Sequence, residues 1–309
     1  MKQSNHKKNK PFHIPVLLDE VLEYLNPKPN QNFIDCTFGA GGHAVKIMER
    51  TAPNGKILAI DANPDTKHLI SNWNPKFKER LILINDNFQN LKKIYEQYFR
   101  HPVSGVLFDL GLSTMELESS GRGFSFSSLE PLDMRFNSLT QRLTAAEILN
   151  RYSYKKLVHI FKQYGDISDN NAKNISKQII LTRRRHKFET TKDLTDLIIE
   201  KIKFNRKKKI HPATLFFQSL RLEVNQELDA LVAGLSQAVE ILAPGSRLAV
   251  ISFHSAEDRI VKKYFKAIGP EAEHPVVKII TKKPIRPSIE EINLNPRSRS
   301  AKMRLAEKV

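Results

Sequence analysis

The chain has 309 residues, 40% of them hydrophobic, which is enough for one large domain or two smaller ones. Its formal net charge of +17 favours nucleic acid as a partner and leaves an anionic membrane or small anionic substrates as alternatives. One cysteine, Cys36, excludes an intrachain disulfide, and no apolar run approaches the roughly 20 residues that span a bilayer. We therefore expect a cytoplasmic protein that makes no membrane contact.

The first third of the chain alternates between short apolar runs and helical segments. A basic, disordered arm is predicted over 1–10, and an amphipathic helix over 16–25. Four apolar runs without polar alternation then read as strands buried on both faces, each followed by a helical segment. These runs lie at 33–34, 56–60, 81–84 and 103–108. Four strand–helix units in series predict a parallel, doubly wound α/β sheet.

The alternation of strand-like runs and helical segments ends after residue 112. A loop rich in Gly, Ser and Phe is predicted over 119–136, and helices over 140–210, where Thr144 and Thr190 begin capping-box patterns. The α/β pattern returns after Pro212. It predicts helices over 213–222, 225–242 and 256–267, a strand over 247–253 and a last strand over 276–280. The sheet is therefore predicted to be divided in sequence by an all-helical insert.

The turn after the first strand is rich in glycine and suits a ligand that approaches the backbone closely. Gly39, Gly41 and Ala44 fit the dinucleotide pattern, so an NAD-dependent oxidoreductase stays open at this point. Asp35 precedes the turn; it would repel a pyrophosphate and attract the ammonium group of a methionine moiety. Asp61 ends the next strand and suits ribose hydroxyls, which both cofactors carry.

Acidic residues stand at or just beyond the ends of all four strands, where ligands of open α/β sheets bind. They are Asp35, Asp61, Asp86 and Asp109. Helix capping explains one such residue more easily than four. Phe88, close to Asp86, either packs on an adenine ring or belongs to the core.

Longer motifs identify a family. The chain resembles the MraW (RsmH) family, the bacterial ribosomal RNA small-subunit methyltransferases H, from His13 to its C-terminus. The motifs are HIPVLLDEVL at 13–22, DCTFGAGGH at 35–43, LFDLGLS at 107–113, RGFSFSSLEPLDMRF at 122–136, YGD at 164–166, HPATLFFQSLRLEVNQEL at 211–228, ISFHSAEDRIVK at 251–262 and NPRSRSAKMR at 295–304.

The resemblance implies a Rossmann-like methyltransferase domain over 11–112 and 213–309, with a substrate-recognition domain inserted over 113–212. It implies transfer of a methyl group from S-adenosyl-L-methionine to N4 of a cytidine in the decoding region of 16S rRNA. It also implies cofactor contacts from positions matching Gly41, Gly42, His43, Asp61, Phe88 and Asp109. A further family contact is usually Gln, whereas this chain has Glu116, which cannot donate a hydrogen bond when ionised.

Two residues are candidates for the chemistry. Asp109 stands where many amino-group methyltransferases carry an acceptor for the amine, and it is predicted to orient cofactor and amine. Asn225 either contacts a base edge or caps the helix that begins at Gln226. His254, Ser255 and Asp258 do not form a hydrolase pattern, because the G-x-S-x-G elbow is missing.

Other residues concern the nucleic acid. Phe124 and Phe126 either pack on the flipped target base or anchor their loop, and we favour the anchor. Basic residues predicted to contact phosphates lie in three regions. These are Arg183–Lys187, Arg206–Lys209, and the C-terminal set Arg286, Arg297, Arg299, Lys302 and Arg304.

The expected partner is the small ribosomal subunit or its 16S rRNA, and a homodimer is left open. The Cys and His spacing gives no metal-site pattern. The alternative function is a non-catalytic ribosome-assembly factor on the same fold, which Glu116 alone would favour.

Overall fold

A computed structural model describes residues 15–70, 73–113, 116–117, 120–202 and 211–309. The predicted basic arm at 1–10 and the basic run at 206–209 lie outside these residues. In the described part of the chain, no helix is long and apolar enough to cross a membrane.

One seven-stranded sheet organises the described residues, in the order β3-β2-β1-β4-β5-β7-β6. β1 to β5 pair in parallel, whereas β7 runs antiparallel to both β5 and β6. The strands are β1 Phe33–Asp35, β2 Ile57–Asp61, β3 Leu81–Asn85, β4 Val103–Asp109, β5 Leu242–Ser252, β6 Val277–Ile279 and β7 Lys302–Lys308. The predicted mostly parallel α/β sheet is confirmed.

Helices flank the sheet and fill the segment between β4 and β5. The first five are α1 Leu18–Leu25, α2 Gly42–Arg50, α3 Thr66–Leu69, α4 Pro75–Lys78 and α5 Leu91–Tyr98. The next four are α6 Ala145–Arg151, α7 Tyr154–Gly165, α8 Asp169–Thr182 and α9 Thr191–Lys201. The last four are α10 Ala213–Asn225, α11 Glu227–Ile241, α12 Ser255–Ala267 and α13 Ile289–Leu294.

The two faces of the sheet bury two separate apolar clusters, as the period of two along a strand requires. Phe33 and Ile57 pack with α1 and α2 on one face. Ile34 and Leu58, their neighbours in sequence, pack with α5, α11 and α12 on the other. Both faces are thus covered by helices, which explains why the strands are continuous apolar runs.

A third apolar cluster joins the 124–134 loop, α6 to α9, and α10. The capping boxes predicted at Thr144 and Thr190 are present at the starts of α6 and α9. Helix α10 buries its apolar side with this cluster, although the sequence assigned it to the sheet domain. That the loop and these helices form a separate substrate-recognition domain stays a prediction.

The last strand was predicted at 276–280, but the chain adds β7 beyond it. The sequence interpretation took Lys302 and Arg304 for phosphate contacts of a basic tail, and for Arg304 this is wrong. Arg304 is buried, and its Nε donates to Asp258 Oδ1 at 2.7 Å; Lys302 pairs with the same carboxylate at 3.4 Å. The charges of this segment therefore stabilise an interior strand.

Candidate active site

A cavity of about 190 Å³ lies at the carboxyl ends of the parallel strands, where α/β proteins bind ligands. It brings together most of the predicted site residues: Gly42, His43, Asp61, Phe88, Asp109, Glu116 and Asn225. Asp35 and Gly41 do not line it. Asp86 lines a second cavity that shares Phe136 and Asn225 with the first.

The glycine loop forms one wall of the cavity through backbone requirements. Gly41 has φ +77°, and a Cβ there would lie 2.4 Å from the Trp73 ring. A Cβ on Gly42, the first residue of α2, would lie 2.4 Å from Pro15. Gly41 therefore acts by letting the backbone turn in the left-handed region, even though it does not line the cavity.

Asp61 is an unusual carboxylate because it lies half-buried beside another acid. Its oxygens accept hydrogen bonds from the amides of Gly39 at 2.7 Å and Asn63 at 2.8 Å. Burial and the neighbouring Glu116 nevertheless raise the pKa of Asp61 to about 7. At neutral pH Asp61 is therefore about half ionised, and a ligand that donates hydrogen bonds to it would increase the ionised fraction.

Glu116, which stands where the resemblance implies a Gln, lines the same cavity. Its Oε2 accepts from the amide and the hydroxyl of Ser113, and its Oε1 accepts weakly from Asn63 Nδ2 at 3.4 Å. Burial raises the pKa of this carboxyl as well. Glu116 and Asp61 thus present acceptors, bridged by Asn63, to the same part of the cavity.

Asp109 combines an unpartnered buried oxygen with a strongly raised pKa. Its Oδ1 is buried and has no hydrogen-bond partner among the described residues. Its Oδ2 lies 3.6 Å from Nδ1 of His43, whose Nε2 contacts the Val16 carbonyl at 3.0 Å. Burial raises the pKa of Asp109 well above its usual range, and the charge of Asp35 adds to the effect. An unpartnered buried acceptor of this kind suits a ligand that donates a hydrogen bond.

Asp35 lies behind the cavity wall. It is buried, accepts from the Thr37 amide at 3.1 Å, and has a pKa raised by burial to about 6. Its predicted attraction for an ammonium group would therefore act at a distance, through the electric field of its charge, and not by direct contact. Phe88 contacts Phe108 edge to face at 5.3 Å and also lines the cavity, so core packing and ligand contact are compatible there.

Asn225 holds elements together with all four of its amide hydrogen bonds. Its Oδ1 accepts from the Phe136 amide at 2.9 Å and from Gln141 Nε2 at 3.0 Å. Its Nδ2 donates to the carbonyls of Met134 at 2.8 Å and Arg221 at 2.9 Å. The side chain therefore ties the loop before α6 to α10 and does not cap the helix after Gln226.

The remaining motif residues have structural partners. His254 caps α12 by accepting the Glu257 amide, and the Ser255 hydroxyl bonds to Asp166, so they form no hydrolase triad with Asp258. Phe124 stacks on Phe136 at 5.7 Å. The predicted loop anchor thus has a partner in the structure, and Phe126 likewise packs against His211 and Phe217.

The basic clusters divide into structural and exposed members. Arg183 donates to the carbonyls of Leu149 and Tyr152, closing the end of α6. Apart from Arg183, Lys302 and Arg304, the cations of these clusters in the described part of the chain are exposed: Arg184, Arg185, Lys187, Arg286, Arg297 and Arg299. Arg297 also lines the cavity.

Two acidic residues of the cavity were missed from the sequence. Glu227 lines it and is held by Arg221, while Glu257 lines it and accepts from the amides of Phe253 and His254. Their positions depend on contacts between helices, although LEVNQEL gave a local signal for Glu227. No group of three or more His, Cys, Asp or Glu side chains in the described ranges could hold a metal ion.

Comparison with known proteins identifies the family. The profile of the MraW methylase family matches residues 10–309. The ribosomal RNA small subunit methyltransferase H of Thermomicrobium roseum is 44% identical over 309 residues, covering 96% of this chain and 94% of that protein. The protein of the same name from Dehalococcoides mccartyi is 45% identical, covering 96% and 86%. The chain belongs to the MraW methylase family.

Membership makes this chain an S-adenosylmethionine-dependent methyltransferase. Among solved structures, an rRNA methylase from Streptococcus thermophilus aligns over 96% of this chain and 99% of that one, with a TM-score of 0.45 and 12% identity.

Proposed function

We propose that this methyltransferase modifies N4 of a cytidine in the decoding region of 16S rRNA, acting in the cytoplasm on the small ribosomal subunit. The curated relatives are named as small-subunit rRNA methyltransferases. The observation that carries the choice of an amino group is Asp109, which lines the cavity and whose buried Oδ1 has no partner among the described residues. An amine nucleophile would supply that missing hydrogen bond.

The residues of the cavity fit S-adenosylmethionine. Asp61 and Glu116 offer acceptors to the ribose hydroxyls, and Phe88 offers a ring face or edge to adenine. The Gly41–His43 turn allows close approach of the methionine part, and an acidic cavity attracts a cationic sulfonium. The bound donor supplies an activated methyl group. Binding it should also favour the ionised forms of Asp61 and Asp109.

Asp109 is proposed to act on the amine. Cytosine N4 is a poor nucleophile because its lone pair is conjugated with the ring, and an acceptor for its N–H favours a pyramidal nitrogen. The contact between His43 Nε2 and a carbonyl oxygen assigns the proton to Nε2, which leaves the Nδ1 lone pair facing Asp109. A proton released by the amine can thus pass to Asp109 and be shared with His43.

The substrate would be held by the exposed cations and the segment between β4 and β5. Arg184, Arg185 and Lys187 follow α8, and Arg297 stands at the cavity. These cations suit the phosphates of an RNA whose target cytidine has left its stack. We propose that residues 113–212 form the substrate-recognition domain, and that Asn225 positions its loop beside the cavity.

The test is methyl transfer from labelled S-adenosylmethionine to small subunits from a strain lacking this gene, followed by nucleoside analysis. The proposal predicts N4-methylcytidine as the labelled product. Label in another nucleoside would overturn the substrate and keep the methyltransferase. Stable binding to the subunit without transfer would favour the assembly-factor alternative.

A further inference from the structure

Glu227 and Arg221 form an ion pair in the wall of the cavity, and the mechanism above uses neither residue. Arg221 Nε donates to Glu227 Oε1 at 2.8 Å, and its Nη2 donates to Oε2 at 3.0 Å. The two side chains are only 11% and 12% exposed. Glu227 belongs to the first turn of α11, whereas Arg221 comes from the end of α10. The pair thus fixes a carboxylate at the junction of two helices.

A fork of this kind orients the carboxylate without using all of its acceptor capacity. Each oxygen accepts one guanidinium N–H and retains a second lone pair. A buried ion pair contributes little net stability, because the desolvation of both charges offsets their attraction. The structural role of the pair therefore does not by itself explain why a carboxylate lines the cavity.

The charges around Glu227 indicate which kind of ligand group can lie next to it. Asp109, Glu227 and Glu257 make this cavity acidic, in a chain whose net charge is +17. Burial raises the pKa of Glu227, and the charge of Glu257 adds to the effect while Arg221 opposes it. A phosphate would be repelled from these carboxylates, whereas the exposed Arg297 offers it a place at the cavity. The acidic wall suits the donor edge of a base.

We infer that Glu227, oriented by Arg221, reads the exocyclic amino group of the target cytosine and rejects uracil. This inference rests on the proposed function, because it takes a cytidine as the substrate. Cytosine presents N–H donors at position 4, which a carboxylate accepts, whereas uracil presents an oxygen acceptor there. The carboxylate would repel that oxygen, so one residue both attracts the substrate and excludes the closest alternative.

Two acceptors in one cavity also fit the geometry of the reaction. If Asp109 and Glu227 each accept one N–H of the amine, the nitrogen lone pair is left directed away from both carboxylates. The N–C bond then forms as the C–S bond breaks, the electron pair of the C–S bond stays on sulfur, and one amine proton leaves to a carboxylate. Glu227 would thereby contribute to both specificity and rate.

The experiment is a competition between substrates that differ only in the amino group. Unlabelled small subunits are reconstituted with either cytidine or uridine at the modified position. Each kind is then added as a competitor, and the decrease in methyl transfer to labelled wild-type subunits is measured. Wild type should prefer the cytidine competitor by at least about 10-fold. Glu227→Gln should reduce this preference by about 3-fold or more, because an amide can turn either its oxygen or its nitrogen toward the base, while Asp109 still accepts the other N–H. Glu240→Gln, an exposed position on the same helix, should keep the wild-type preference.

Fold and cofactor binding are checked by thermal unfolding and by the affinity for S-adenosylmethionine. Should Glu227→Gln not fold, Arg221→Lys keeps the charge but loses the fork, and it should lower the preference partly. An unchanged preference in a folded variant would overturn the inference, and so would a wild-type preference of one. Failure of wild type to make N4-methylcytidine would instead defeat the proposed function.

Discussion

Glu116→Gln replaces a carboxylate beside Asp61 by an amide and should change how cofactor binding depends on pH. Asp61 has a pKa of about 7, because burial and the charge of Glu116 both oppose its ionisation. A ribose hydroxyl donates best to the ionised form, so wild-type affinity for S-adenosylmethionine should rise as pH increases through about 7. The substitution removes a carboxylate and keeps an acceptor for the Ser113 amide.

The size of the effect follows from the ionised fraction of Asp61. If the pKa falls by about one unit, that fraction grows from about 0.1 to about 0.5 at pH 6, and from about 0.5 to about 0.9 at pH 7. The apparent affinity scales with the competent fraction, so it should rise about 5-fold at pH 6, about 2-fold at pH 7 and little above pH 8.

Equilibrium dialysis of labelled S-adenosylmethionine from about pH 5.5 to about pH 8.5 measures this change. Glu49→Gln is a matched control, because Glu49 is exposed and pairs only at the surface with Lys46. A wild-type affinity that is flat across the range would refute the reasoning about Asp61. Superimposable curves for wild type and Glu116→Gln would refute the coupling between the two carboxyls.

Three further substitutions test the fold around the site. Burial raises the pKa of Asp35 from 3.8 to about 6, so ionisation costs stability as pH rises through that interval. The unfolding free energy of Asp35→Asn, relative to wild type, should therefore be about 2 kcal/mol larger at pH 7 than at pH 4, measured by urea titration. An equal difference at both pH values would contradict this. Arg304→Ala leaves the Asp258 carboxylate without its closest partner and should lower the free energy of unfolding by about 2 kcal/mol. The salt dependence of RNA binding should stay unchanged. A weaker salt dependence in a variant of wild-type stability would instead identify Arg304 as a phosphate contact. Gly41→Ala forces a side chain into φ +77° against Trp73 and should lower the free energy of unfolding by about 2 kcal/mol. It should also weaken the binding of S-adenosylmethionine. A wild-type melting temperature would contradict this prediction.

The sheet could be predicted because its central strands are continuous apolar runs. β1 to β4 lie where the sequence indicated, since burial on both faces removes polar alternation. β5 was predicted over 247–253 and begins earlier, at Leu242. β7 was missed because its charges looked like a solvated tail. Arg304 is neutralised by Asp258, 46 positions earlier, and Glu307 pairs with Arg247, 60 positions earlier. Such compensation depends on the fold and is invisible to a local pattern.

The sequence predicted which strand ends contribute to the candidate site. What it could not predict depends on contacts between segments that are distant in the chain. The rule that ligands bind at strand ends correctly located Asp61 and Asp109 in the cavity. It did not reveal that Asp35 lies behind the wall. Asn225 was recognised as a candidate, but its four hydrogen bonds to the loop and α10 depend on the packing of distant segments.

The central claim is that Asp109 accepts a hydrogen bond from the reacting amine. The most direct measurement is the single-turnover rate of methyl transfer to small subunits by Asp109→Ala at saturating S-adenosylmethionine, with the exposed Asp229→Ala as control. Saturation removes any loss of cofactor affinity from the comparison. The account predicts a rate about 100-fold or more below wild type for Asp109→Ala, which lacks the acceptor, and a wild-type rate for the control. A wild-type rate for Asp109→Ala under these conditions would contradict the account.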